Sequence, residues 1–160
     1  MAEDLAEFER WFGRILQGME PGRRRAAAFK LGQALRRANL LRIAANVEPD
    51  GGSMRPRKAS VNERGRVRKK AGTRMFRRLR VAKSWRLTAD ADGVEIAPAS
   101  AAIDRVAAVH QFGETDRVGR LRDGRTIRAK YPVRRLLGFS DDDRNTALQI
   151  ASDLLDPGNR

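Results

Sequence analysis

Residues 84–98 read SWRLTADADGVEIAP, and this stretch decides the fold class because the period of the apolar residues changes within it. Trp85, Leu87 and Ala89 alternate with polar neighbours, Asp92-Gly93 supplies a tight turn, and Val94, Ile96 and Pro98 resume the alternation. Successive side chains of a strand point to opposite faces, so a period of two predicts two antiparallel strands joined as a hairpin. The long apolar patterns upstream follow the helical period. A hairpin set among helices makes the chain α+β rather than a helical bundle.

Working outward from this hairpin, Leu5, Phe8, Phe12, Ile15, Leu16 and Met19 recur at spacings of three and four, the stripe of a helix over residues 2–19. The break at residues 18–22 precedes a second helix over 23–46, with Ala28, Leu31, Leu35, Ala38 and Leu41 on its face, and the two predict an N-terminal helical pair over 1–48. Pro49-Asp50-Gly51-Gly52-Ser53 is turn chemistry. Residues 55–72 are mostly Arg, Lys, Gly, Asn and Ser, the composition of a mobile basic loop. A short helix over 73–79, capped by Thr73, returns the chain to the body.

Downstream, Ile103, Val106, Ala107, His110 and Gln111 predict a helix over 101–112, with Gly113 as its C-cap. Leu121 and Ile127 flank Asp123-Gly124, a preferred type I′ pair, so a second hairpin is expected between 118 and 129. Ser140 followed by Asp141, Asp142 and Asp143 opens a last helix reaching about 155, with Ala147, Leu148, Ala151, Leu154 and Leu155 as its buried stripe. The expected architecture is one α+β domain over 1–160, with a body over 73–156 in which the two hairpins build a small antiparallel sheet.

Composition narrows the chemistry. The chain has 160 residues, no Cys and one His, so it has neither thiolates nor an imidazole cluster for metal or proton-relay work. No apolar run approaches the roughly 18 residues of a membrane span, and the acidic N-terminus does not read as a leader. A cytoplasmic protein with no cofactor is therefore expected. The formal net charge is +14, and residues 55–83 account for most of it with 13 basic residues against one acidic.

Each motif has a plainer reading beside the chemical one. His110 could be a catalytic base, yet without a second His or a Cys it reads as a structural residue. The three consecutive aspartates point about 100° apart on a helix, so capping explains them better than a cation site. Neither glycine cluster ends in the Gly-Lys-Ser/Thr of a phosphate loop. Arg55, Arg57, Lys58, Arg64, Arg66, Arg68, Lys69, Lys70 and Arg74 form a candidate contact surface for an acidic partner or for nucleic acid. Aromatic stacking platforms are absent from 55–74, which argues against base recognition.

Four stretches in this order resemble the phage virion morphogenesis family, the tail-completion proteins of contractile-tailed phages and prophages. They are Pro49-Asp50-Gly51, Met75-Phe76-Arg77-Arg78-Leu79-Arg80, Val109-His110-Gln111-Phe112-Gly113, and residues 131–141, YPVRRLLGFSD. Two positions depart from the family pattern: Arg135 stands where an acid is expected, and Met54-Arg55 where an aromatic is usual. The resemblance implies structural roles for Pro49, Asp50, Gly51, His110, Gly113, Tyr131, Pro132, Arg134, Leu136, Leu137 and Gly138, and no catalytic group. It also implies a ring, six copies by analogy with tail symmetry, that meets tail-tube and head-tail connector proteins in the host cytoplasm and stays in the virion tail or neck. The alternative is a basic module binding DNA or RNA without sequence preference.

Overall fold

A computed structural model describes residues 20–57 and 75–155. The expected first helix, and with it the helical pair, lies outside the described residues, as does most of the basic stretch. The long helix α1 spans Pro21–Ala45, with Pro at its start where the missing N–H costs nothing. It stops at Asn46, which adopts the left-handed conformation (φ 58°), while the amides of Asn46 and Val47 bond back to Ile43 and Arg42. That pair of bonds is a Schellman cap, with Asn in place of the usual Gly.

The buried row of α1 is Gly32, Leu35, Asn39 and Ile43, one turn apart each. This differs from the expected stripe: Leu35 is shared, but Leu41 is 63% exposed. The helix is rotated because Gly32 lets the hairpin approach, and a Cβ there would lie 2.4 Å from Val94 Cγ2 and 2.9 Å from Leu87 Cδ1. That hairpin consists of β1 (Trp85–Ala89) and β2 (Val94–Pro98), antiparallel, with Leu87 opposite Ile96. The Asp90 carboxylate closes its turn by accepting from the amides of Asp92 and Gly93.

Residues 77–80 form a turn rather than the end of a helix. Phe76 has φ 59°, a conformation that breaks a helix, and the carbonyls of Arg78 and Leu79 accept from Ser84 Oγ (2.6 Å) and Trp85 Nε1 (2.7 Å). Trp85 and Leu79 thereby enter the core with Ile43, Met54, Met75, Ala107 and Leu136, all under a tenth exposed.

Helix α2 (Ala101–Phe112) packs on β2, capped by Ser100 at its start and by Gly113 (φ 69°) at its end. A second hairpin, β3 (Thr115–Arg120) and β4 (Thr126–Lys130), follows as its own two-stranded sheet, so the two hairpins do not merge into one. Its loop holds three residues, with Gly124 alone at positive φ (87°), rather than the expected type I′ pair. Helix α3 (Asp141–Leu155) lies against α1; Ile150 is buried, whereas Leu148, expected inside, is 69% exposed.

Candidate functional site

Residues 131–140 form neither helix nor strand, yet Arg134 and Leu136 within them are buried. Buried backbone groups outside regular structure need partners from elsewhere, and here three elements supply them. From α2, Gln111 Oε1 accepts from the amides of Leu136 (2.8 Å) and Leu137 (3.1 Å), and its Nε2 donates to the Leu137 carbonyl (3.1 Å). From α1, Asn39 Oδ1 accepts from the Gly138 amide (3.1 Å) while Arg42 donates to the Gly138 carbonyl (3.1 Å). From α3, Asp143 accepts from the Ser140 amide (2.9 Å) as Ser140 Oγ accepts from the Asp143 amide, a capping box.

Asp143 also meets Arg42 at 2.7 Å, with its side chain only 5% exposed. Burial pushes this carboxyl up, but Arg42 and the Ser140 amide outweigh it and hold the group below its ordinary range. Asp143 therefore caps α3 and pairs with α1, while Asp141 turns to Arg144. The three aspartates do not converge on one point. Among the described residues, no group of three or more His, Cys, Asp or Glu is placed to hold a metal ion.

The turn after α1 enters the same junction. Pro49 packs flat on Gly138, where a Cβ would lie 2.6 Å from Pro49 Cγ, and Gly51 takes the left-handed position (φ 86°). Arg135, the departure from the family pattern, donates to Glu48 (2.9 Å) and to Asp50. The Gly52 amide and Arg135 hold the Asp50 carboxyl below its usual range. Gly113 is required twice: its φ is positive, and a Cβ would meet Val133 Cγ2 at 2.8 Å.

Arg134 is 3% exposed and has no carboxylate partner among the described residues. Its guanidinium donates to the carbonyls of Arg55 (2.5 Å) and Pro56 (3.0 Å) and to His110 Nδ1 (3.0 Å). Arginine only donates, so Nδ1 must accept and the ring is the neutral Nε2–H tautomer. Burial, with Arg134 and Arg57 nearby, lowers the His110 pKa to about 4. The ring stands edge-on to Phe76 (4.8 Å) and Tyr131 (5.0 Å). A base whose lone pair is committed to a guanidinium is poorly placed to accept a substrate proton.

The structure thus gathers Pro49, Asp50, Gly51, His110, Gly113, Tyr131, Arg134, Leu136, Leu137 and Gly138 around one irregular strip, with Pro132 half-buried within it. Arg55 touches this junction through its carbonyl and Arg57 is exposed beside it. Lys58, Arg64, Arg66, Arg68, Lys69, Lys70 and Arg74 lie outside the described residues. Asn39 and Arg42 do as much as any of these and were not singled out from the sequence, and Gln111 reads there only as part of a helix face and a family motif. A signal existed for Asn39: it is a polar residue four positions from both Leu35 and Ile43, inside an apolar row. At the surface, Phe112 and Phe139, each next to a glycine of the junction, are 69% and 67% exposed, and Val133 is 50% exposed.

A family model described as the phage virion morphogenesis family matches residues 3–156. The chain is similar to tail completion protein S of Escherichia phage P2, 31% identical over 144 residues, which is 87% of this chain and 91% of that protein. No solved structure gives a significant match.

Proposed function

Because the chain belongs to the phage virion morphogenesis family, we propose that it is a non-enzymatic assembly protein of a phage or prophage virion. In this reading it completes or terminates the tail and, as an oligomer, enables heads and tails to join. It acts as one domain, is made in the host cytoplasm, takes tail-tube and connector proteins as partners, and remains in the tail or neck. The observation that carries the reading is similarity to a tail completion protein along nearly the whole length of both chains, 87% and 91%.

The geometry supports an assembly role in a second way. The junction spends its polar groups on holding a strip of backbone still, and beside that strip it presents Phe112, Val133 and Phe139 to solvent. Rigidly held exposed aromatics beside polar surroundings are what a protein interface uses. A ring contact through these residues gives the oligomer its apolar centre.

Inactivation of the gene in an inducible prophage tests the proposal by electron microscopy of the lysate. Filled heads and unjoined tails, restored to whole particles by the wild-type chain from a plasmid, are expected. Whole infectious particles without the chain would overturn it. Light scattering of the nuclease-treated protein should show a discrete oligomer in high salt, reduced in mass by Phe112→Ser with Phe139→Ser. The competing nucleic-acid module rests on the net charge of +14; it requires a monomer and normal head-tail joining when the chain is absent.

A further inference from the structure

The β3–β4 ribbon carries more positive charge than its neighbouring acid Asp116, held by Arg105 and stabilised also by Arg128, can answer. In its register Arg117 lies opposite Arg128, Thr115 opposite Lys130 and Arg120 opposite Thr126. Alternation along β4, and along β3 with the bulge at Val118 that shifts its register by one residue, places Arg117, Arg120, Arg128 and Lys130 on one face, and all four are exposed. The other face holds Asp116, Gly119 and Ala129, which are half-buried, with the more exposed Ile127, and Asp116 receives Arg105 of α2. The ribbon is therefore pinned to the body by one side and turns its cations outward.

Like charges directly opposite each other destabilise a strand pair, and a lone two-stranded hairpin is marginal in water. An arrangement that sets Arg against Arg in such a hairpin is costly unless an anion relieves it. Arg117, Arg120, Arg128 and Lys130 make no ion pair or side-chain hydrogen bond among the described residues. A second copy offers its exposed acids without ion pairs among the described residues, Glu95, Asp104, Glu114 and Asp142, singly along β2, α2, the turn after α2 and α3, whereas a duplex presents a regular row of phosphates.

We propose that this outer face of the β3–β4 ribbon is a binding surface for the phosphate backbone of duplex DNA, independent of the assembly reading above. Guanidinium groups pair with phosphate oxygens through parallel N–H donors, and a two-stranded ribbon is narrow enough to lie along a groove of the duplex. Contacts of the four cations to phosphate give affinity without sequence preference, because phosphate oxygens carry no base information.

The test is fluorescence anisotropy of the full-length, nuclease-treated protein with a labelled 30-bp duplex of arbitrary sequence over a salt series. Arg117→Gln with Arg128→Gln removes two phosphate contacts, so the slope of log K against log salt should fall by about 1.8 and binding weaken roughly tenfold or more. The basic stretch 55–83 contributes equally to both proteins and cancels in this difference. Arg117→Lys with Arg128→Lys should keep the slope. Val118→Ser with Leu121→Ser should leave affinity unchanged, because those exposed apolar residues carry no charge to pair with a phosphate. Melting temperature without DNA should not fall in the Gln variant, as the like-charge pair is gone; if it does fall, Arg120→Gln with Lys130→Gln replaces it in the assay. An unchanged slope in the Gln variants, no DNA binding by the wild type, or an equal loss in the Ser variant overturns the proposal.

Discussion

Replacing Gln111 by Leu should be among the most damaging single changes available near the surface of this protein. One side chain holds three backbone groups, and Leu removes all three hydrogen bonds while keeping a similar volume. The Leu136 amide belongs to a residue 1% exposed, so its loss of a partner costs about 1–3 kcal/mol. The two groups of Leu137 are half-buried and recruit water, which holds their share to roughly 0.5–1 kcal/mol each. A total near 3 kcal/mol corresponds to a melting point lowered by about 6–12 °C for a chain of this size. Gln111→Glu retains the acceptor but, when ionised, sets a carboxylate oxygen against the Leu137 carbonyl, so it should lose less than the Leu variant only at a pH low enough to protonate that carboxyl. Differential scanning calorimetry of the two variants decides the matter: a Leu variant melting within about 2 °C of wild type would refute the claim that this side chain holds the strip.

The spacing of α1 from the first hairpin predicts that Gly32→Ala destabilises by about 1–3 kcal/mol through overpacking, with Val94→Ala restoring most of it in a denaturant titration. His110 sets a pH dependence: its folded pKa of about 4 lies below the ordinary 6.5, so the unfolded chain binds the proton first as pH falls. Stability should therefore decline between pH 6.5 and 4 by on the order of 1–2 kcal/mol, allowing for the ring's partial contact with solvent, and His110→Phe should flatten that interval. Asp143→Asn leaves Arg42 facing a neutral amide, and a loss of about 2–4 kcal/mol is expected in urea unfolding. A midpoint unchanged from wild type would show that the pair is dispensable.

The elements with a strong period were legible in the sequence, and those held by side-chain-to-backbone bonds were not. The first hairpin, α2 and α3 follow from alternation, Ser caps and Gly113. The face of α1 was misplaced because the rule counts apolar residues, whereas Gly32 and Asn39 were buried for closeness and for hydrogen bonding. The short helix expected over 73–79 fails at Phe76, whose positive φ no propensity scale anticipates in an aromatic residue. Of the candidate site, resemblance picked out the residues that converge, while their reason for converging needed Gln111, Asn39 and Arg42 in place. The arms of the second hairpin read as strongly basic in the sequence, although residues from 84 onward balance at 12 basic and 12 acidic; segregation of those cations onto one face appears only with the register.

The junction also has a bearing on how the chain folds. Asn39 and Arg42 reach Gly138 and Ser140 across sequence separations of 96 to 99 residues, whereas both hairpins and each helix close locally. Contacts of such range are entropically late, so the local elements form first and wait on the strip that binds them. A chain still being synthesised has α1 with two polar side chains unsatisfied on its inner face until residues 138–143 have emerged. Products ended before Asp143 therefore lack these contacts, and the strip that carries Phe139 is fixed only once translation has passed the first turn of the last helix.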